Sequence, residues 1–225
     1  MKAIVLFGSP GSGKGTQARF LTQCLKVPHI STGDMLREWI RHGDAGAALV
    51  AKMQSGALVS DEVVNQMVQE RLSRPDAADG FVLDGYPRTM QQAHHLQGWL
   101  EGRGVREVVI YLAVDYNIVI ARMTGRRQCP RCGTLYNLAT KRQRVDETCD
   151  LDGEKLVIRE DDKESVIRQR LDAYELQTRP VLEYYRQAGR RRIEVDASKD
   201  PPDKVFQKIC HAMECDDCSE NRCGA

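Results

Sequence analysis

The chain has 225 residues, 41% of them hydrophobic, enough for one large domain with a substantial core. Its 33 basic and 32 acidic residues leave a net charge of +1, which argues against a dedicated nucleic-acid or membrane-surface binder. The longest apolar run, Val108 to Val114, is too short to span a bilayer and no secretory pattern opens the chain, so we expect a cytoplasmic protein whose eight cysteines are thiols or metal ligands rather than disulfides.

In chain order, Ala3 to Phe7 is a short apolar run that reads as a buried strand. Gly8-Ser9-Pro10-Gly11-Ser12-Gly13-Lys14-Gly15-Thr16 follows. It opens a helical pattern in which Ala18, Leu21 and Leu25 share one face. Strand, glycine loop and helix form the context of a phosphate-binding loop. Glycines let the backbone approach an anion, helix N–H groups point at it, and Lys14 adds a positive charge for the outer phosphates. Gly15 stands where the general motif places Ser or Thr, and the hydroxyl comes one residue later at Thr16.

A second strand is expected over 27–31, ending at Ser31-Thr32-Gly33-Asp34. Two short helices follow, 34–42 and 45–55, split at Gly43. The next helix ends near Ser73, with Val64, Met67, Val68 and Leu72 inward. Phe81-Val82-Leu83-Asp84 is a third strand, stopped by Gly85-Tyr86-Pro87, and a helix over 89–100 faces Met90, Ala93, Leu96 and Leu100 inward. Val108 to Val114 is a fourth strand with a helix after it. Periodicity then vanishes between Gly125 and about Ile158, as in an inserted lobe. Helical spacing returns from Glu164 toward Gly189 with an interruption at Pro180, and a fifth strand, Arg192 to Asp196, precedes a last helix, 201–213. Alternating strands and helices imply an α/β fold with a parallel sheet and helices on both faces.

Asp84 lies at the C-terminal end of a buried strand, where open parallel sheets bind ligands. Beside a phosphate loop, its carboxylate suits Mg²⁺, directly or through water. Arg37, Arg88, Arg122, Arg126, Arg159 and Arg170 recur past strand ends and at loop edges. Planar guanidinium groups match polyphosphate oxygens two at a time. In the inserted lobe, Cys129-Pro130-Arg131-Cys132-Gly133 is a zinc knuckle, and Cys149-Asp150-Leu151-Asp152-Gly153 repeats its form with a carboxylate last. Cys129, Cys132, Cys149 and Asp152 make a closed four-ligand set for a structural Zn²⁺, with Asp150 a competing ligand. Cys210, Cys215, Cys218 and Cys223 form a looser cluster in a polar terminal segment, where ordered metal binding is the less expected outcome. Cys24 is assigned to the core, and His94 and His95 to surface or packing roles.

Three stretches together resemble the adenylate kinase signature: Gly8 to Thr16, including the Lys14-Gly15-Thr16 order; Ser31 to Arg37; and Phe81 to Thr89. Arg122 to Arg127 and Arg159-Glu160-Asp161-Asp162 continue it, and the likeness spans about 1–213. The insertion is similar to the lid of the long-lid, zinc-containing bacterial type, with Asn137 where many such relatives carry His. The resemblance implies one P-loop kinase domain, 1–213, on a five-stranded parallel sheet, followed by a Cys-containing tail, 214–225. It implies a nucleoside-monophosphate lobe over 31–60 and a zinc-bearing lid over 126–163. The implied reaction is Mg²⁺-dependent transfer from ATP to AMP giving two ADP, by a monomer that binds neither nucleic acid nor membrane.

By matching positions, Gly11, Ser12, Gly13, Lys14, Gly15 and Thr16 would hold ATP phosphates. Arg122, Arg126, Leu135, Tyr136 and Lys199 would complete the ATP site. Thr32, Arg37, Leu58, Val59, Ser60, Gly85, Tyr86, Pro87, Arg88 and Gln92 would bind AMP. Arg159 and Arg170 would clamp phosphate, so that Lys14, Arg88, Arg126, Arg159, Arg170 and Asp84 carry the transfer. Two alternatives stand beside this reading: another nucleoside-monophosphate kinase (UMP or CMP acceptor, or GTP donor), and a non-catalytic nucleotide-regulated zinc module.

Overall fold

The computed structural model describes residues 2–138 and 142–213. Among these, five strands form one parallel sheet: β1 (Lys2–Phe7), β2 (His29–Ser31), β3 (Gly80–Asp84), β4 (Glu107–Ala113) and β7 (Arg192–Asp196), in spatial order β2-β3-β1-β4-β7. All five lie where sequence expected them. The order reverses on either side of β1, whose loop therefore opens at the switch point where α/β sheets bind ligands.

The period of two along β1 builds two cores at once. Ala3, Val5 and Phe7 face one layer with Leu83, and Ile4 and Leu6 face the other with Val82 and Ile110. The first layer is closed by α4 (Asp61–Leu72), α5 (Met90–Glu101) and α8 (Arg179–Gln187), the second by α1 (Lys14–Leu25) and α9 (Pro202–Met213). With both faces covered, the strands read as continuous apolar runs.

α2 (Thr32–His42) and α3 (Ala47–Ser55) project beyond β2. Ser31 caps α2 by accepting from Asp34 N at 3.3 Å, and Gly43 ends it in a left-handed turn. On the other side of the loop, α6 (Tyr116–Thr124) packs Val119 and Met123 against Ile167 and Leu171 of α7 (Glu164–Ala173).

Sequence and structure differ in four places. The inserted segment carries a small antiparallel pair, β5 (Arg126–Gln128) with β6 (Leu135–Asn137), too short for any periodicity to announce. Pro180 does not break its helix, because a π-helical turn, Tyr174–Thr178, precedes it. The wider turn accommodates a proline ring that would otherwise meet the carbonyl four residues back. Met90 is 36% exposed, since it is the first residue of α5, before the buried stripe of Ala93, Leu96 and Leu100 begins. Cys24 is buried as assigned but is disulfide-bonded, so the expectation of thiols or metal ligands fails for it. Cys215, Cys218 and Cys223 lie outside the described residues. Among the described residues, no helix is long and apolar enough to cross a membrane.

Candidate functional site

The C-terminal edge of the sheet opens into a cleft of about 1150 Å³. Its floor is the loop between β1 and α1. Gly8 has φ +147°, and a Cβ there would fall 2.5 Å from Ser12 Oγ and 2.8 Å from Leu112 O, so a side chain cannot enter the turn. Lys14 begins α1 and folds back, donating to Gly8 O at 2.7 Å and Ser9 O at 2.9 Å. Ser9 Oγ and Ser12 Oγ are buried with no hydrogen-bond partner among the described residues, which fits a loop built to receive a polar ligand. Gly11, Gly13, Gly15 and Thr16 line the same floor.

Burial is the largest influence on Lys14 and pulls it down to about 8; Asp84 opposes this, and Arg88, Arg170 and Arg126 add to it. For Asp84, burial pushes upward, but the neighbouring His29 and Lys14 outweigh it and hold the carboxyl below the usual range. His29 Nε2 stands 3.5 Å from Asp84 Oδ2, a close contact without hydrogen-bond alignment. An ionised, partly exposed carboxylate on the cleft wall suits a hard cation such as Mg²⁺.

Arg37, Arg88, Arg122, Arg126, Arg159 and Arg170 all reach this cleft. Burial, reinforced by neighbouring guanidinium groups, brings Arg88 and Arg159 down to about 10, so both remain charged at neutral pH. So many cations in one cleft create a field that an anion would relieve. Two carboxylates after Arg159 hold part of the set. Arg170 Nη1 lies 3.0 Å from Asp161 Oδ2 and 3.2 Å from Asp162 Oδ1, and Arg126 Nε lies 3.4 Å from Asp162 Oδ2. Arg37 Nη1 is 3.7 Å from Asp161 Oδ2 and Nη2 is 2.6 Å from Asp34 Oδ1. Burial raises Asp162, whereas Arg170, Arg37 and Arg159 overcome burial and lower Asp161. Asp161 and Asp162 were visible in the motif after Arg159, but only the fold brings Arg37, Arg126 and Arg170 to them.

Branching from the cleft is a smaller pocket lined by Thr32, Leu58, Val59, Arg88 and Gln92. Thr32 Oγ1 and Arg88 Nε both donate to Gly85 O at 2.8 Å. Gly85 has φ +78°, and a Cβ there would lie 2.8 Å from Arg88 Nη2 and 3.0 Å from Thr32 Oγ1. Pro87, after a cis peptide bond, lines the main cleft. Two expected acceptor residues stand back from both cavities. Tyr86 is buried, and its hydroxyl donates to Asn65 Oδ1 at 2.7 Å, while Ser60 stands just before α4, with no side-chain capping bond. Asp61, missed in the sequence, accepts from Gln92 Nε2 at 2.7 Å.

On the far wall, Leu135, Tyr136 and Lys199 line the cleft. Arg122 Nη2 donates to Ala197 O at 2.8 Å and Ser198 O at 3.2 Å. Asn137 Nδ2 donates to Arg122 O at 2.8 Å, tying β6 to the end of α6.

The inserted segment gathers Cys129, Cys132, Cys149 and Asp152, with one ligand atom of each within 4.8 Å of the others. Two matching turns bring them there: Gly133 N donates to Cys129 O and Gly153 N to Cys149 O, both at 3.0 Å. Cys132 Sγ lies 3.6 Å from Cys149 Sγ, and Cys129 Sγ lies 3.3 Å from Asp152 Oδ2. Tetrahedral zinc with bonds of about 2.0–2.3 Å separates its ligands by roughly 3.5–3.8 Å, close to these spacings, so the donor set is compatible with this ion. Asp150 Oδ1 instead accepts from Arg144 N at 2.8 Å and lies outside the group of four.

A family model described as Adenylate kinase matches residues 6–190. An adenylate kinase of Moorella thermoacetica is 47% identical over 201 residues, covering 88% of this chain and 92% of that protein. One from Pseudothermotoga lettingae is 49% identical over 184 residues, 81% of this chain and 85% of its own. One from Syntrophotalea carbinolica is 46% identical over 214 residues, 94% and 98% respectively.

Proposed function

The chain belongs to the adenylate kinase family, and from that premise we propose how its residues divide the work of reversible phosphoryl transfer from ATP to AMP, giving two ADP. The observation that carries the assignment is the junction of two cavities: a polyphosphate floor around Lys14 and a side pocket ending in Thr32 and Gln92, with Arg88 lining both.

ATP phosphates rest on Gly11 to Thr16, and its base and ribose lie toward Leu135, Tyr136, Arg122 and Lys199. AMP takes the side pocket, with its phosphate toward Arg37 and Arg88. Arg126, Arg159 and Arg170 close on the transferred group, and Asp161 and Asp162 hold the guanidinium groups in place until phosphate oxygens replace them. Asp84 would hold, directly or through water, the Mg²⁺ that accompanies ATP, and that ion would supply neutralisation of phosphate charge. No residue need act as a base, because the acceptor is an ionised phosphate. Alignment and charge neutralisation supply the acceleration.

The lobes fall at 31–60 and 126–163. Their closure excludes water, which would otherwise hydrolyse ATP. Cys129, Cys132, Cys149 and Asp152 would hold a structural Zn²⁺, since four protein ligands would leave no open position. A cytoplasmic monomer acting on ATP, AMP and ADP, with no nucleic-acid or membrane partner, completes the proposal; the near-balanced charge supports it. The test is ADP formation with AMP, UMP and CMP as acceptors and ATP or GTP as donor. AMP with ATP should give the highest kcat/KM by at least tenfold; comparable UMP turnover would reassign the acceptor.

A further inference from the structure

We propose that Asp61 is a positioning residue that fixes the carboxamide of Gln92 in one of its two orientations and thereby makes the acceptor pocket reject 6-oxopurines. The inference rests on the reading of this pocket as the AMP site. Gln92 is 2% exposed, and its side chain reaches the small cavity while Asp61 stands behind it. Two bonds of opposite sense hold the amide. Gln92 Nε2 donates to Asp61 Oδ1 at 2.7 Å, and Gln92 Oε1 accepts from the backbone N–H of Arg88 at 2.7 Å. A carboxylate only accepts and a backbone N–H only donates, so neither tolerates the flipped amide. Asp61 is itself held, since Thr89 Oγ1 donates to its Oδ2 at 2.9 Å while accepting from Gln92 N at 3.2 Å.

A primary amide offers two donor hydrogens and two acceptor lone pairs. Asp61 takes one hydrogen and Arg88 N–H takes one lone pair, leaving one donor and one acceptor in fixed order. Adenine presents an acceptor at N1 beside a donor at its 6-amino group and matches that order. Hypoxanthine presents a donor at N1 beside an acceptor at O6, the reverse. To read it, the amide must turn over, setting Nε2 against the Arg88 N–H and Oε1 against the Asp61 carboxylate. A site that leaves buried polar groups unpaired discriminates strongly against the wrong ligand.

The experiment compares kcat/KM for AMP and inosine monophosphate, at saturating MgATP, in the wild-type enzyme, Asp61→Asn and Asp61→Ala. Asparagine keeps the shape and can face either amide orientation; alanine removes the lock on that side. Both variants should lower the AMP-to-IMP ratio at least tenfold, with kcat/KM for IMP rising in absolute terms and the change carried by KM. A structural defect would lower both substrates together. A ratio within twofold of wild type, or a parallel loss for AMP and IMP, overturns the proposal. A wild-type enzyme that does not phosphorylate AMP overturns instead the reading of the pocket.

Discussion

Lys14 shows how one side chain serves two states. Burial first, and the cleft's guanidinium groups after it, bring it down to about 8, yet in the proposed role it must be protonated to bind polyphosphate. Raising pH through that value removes the binding form of the free enzyme, so kcat/KM for ATP should fall above about pH 8. Bound phosphate stabilises the ammonium, so kcat should stay level to higher pH; a pH series of both constants checks the divergence. Lys14→Met should lower kcat by about 10²–10³-fold with an unchanged melting temperature, read by coupled assay and thermal denaturation. The lysine and its glycines were legible because the loop's chemistry is local. Asp61 was not, because its partners Thr89 and Gln92 are distant in sequence and nothing about an aspartate opening a helix marks it as a lock.

The inserted element between β5 and the turn before α7 lacks enough apolar matter to fold on burial alone. Among the described residues, its own cluster is Cys129, Tyr136, Cys149 and Leu156, two of them zinc ligands in the proposed site. Its folding should therefore depend on the ion. Purified protein should carry about one equivalent of zinc, and chelation should lower the melting temperature and reduce turnover, measured by metal analysis and calorimetry. A value near two would implicate the tail cysteines. Cysteine spacing announced this site because the ligands sit in two local knuckles. The β5–β6 pair and the π-turn before Pro180 gave no signal, since runs of three to five residues carry no readable period.

At the scale of the molecule, the sheet core and the inserted segment are separate hydrophobic clusters. Leu83, fully buried in β3, precedes Asp84 and packs with the first layer. Leu83→Ala should cost about 2–5 kcal/mol and lower the melting temperature by roughly 10 °C. Zinc content should be unaffected, measured on the same sample. The sequence by itself determined the parallel α/β plan, the phosphate loop, the knuckles and the arginine inventory. Each is written in local periodicity, glycine placement or spacing between neighbours. Only the tertiary structure decided which groups meet. β1 and β3 run side by side, so Asp84 comes to Lys14; the chain returns after the inserted segment, so Asp161 and Asp162 come to Arg37, Arg126 and Arg170. The phosphate loop remains the floor from which these contacts are organised, but its charge partners arrive from strands and helices far along the chain. Those meetings follow from sheet order and packing, which no window of sequence contains.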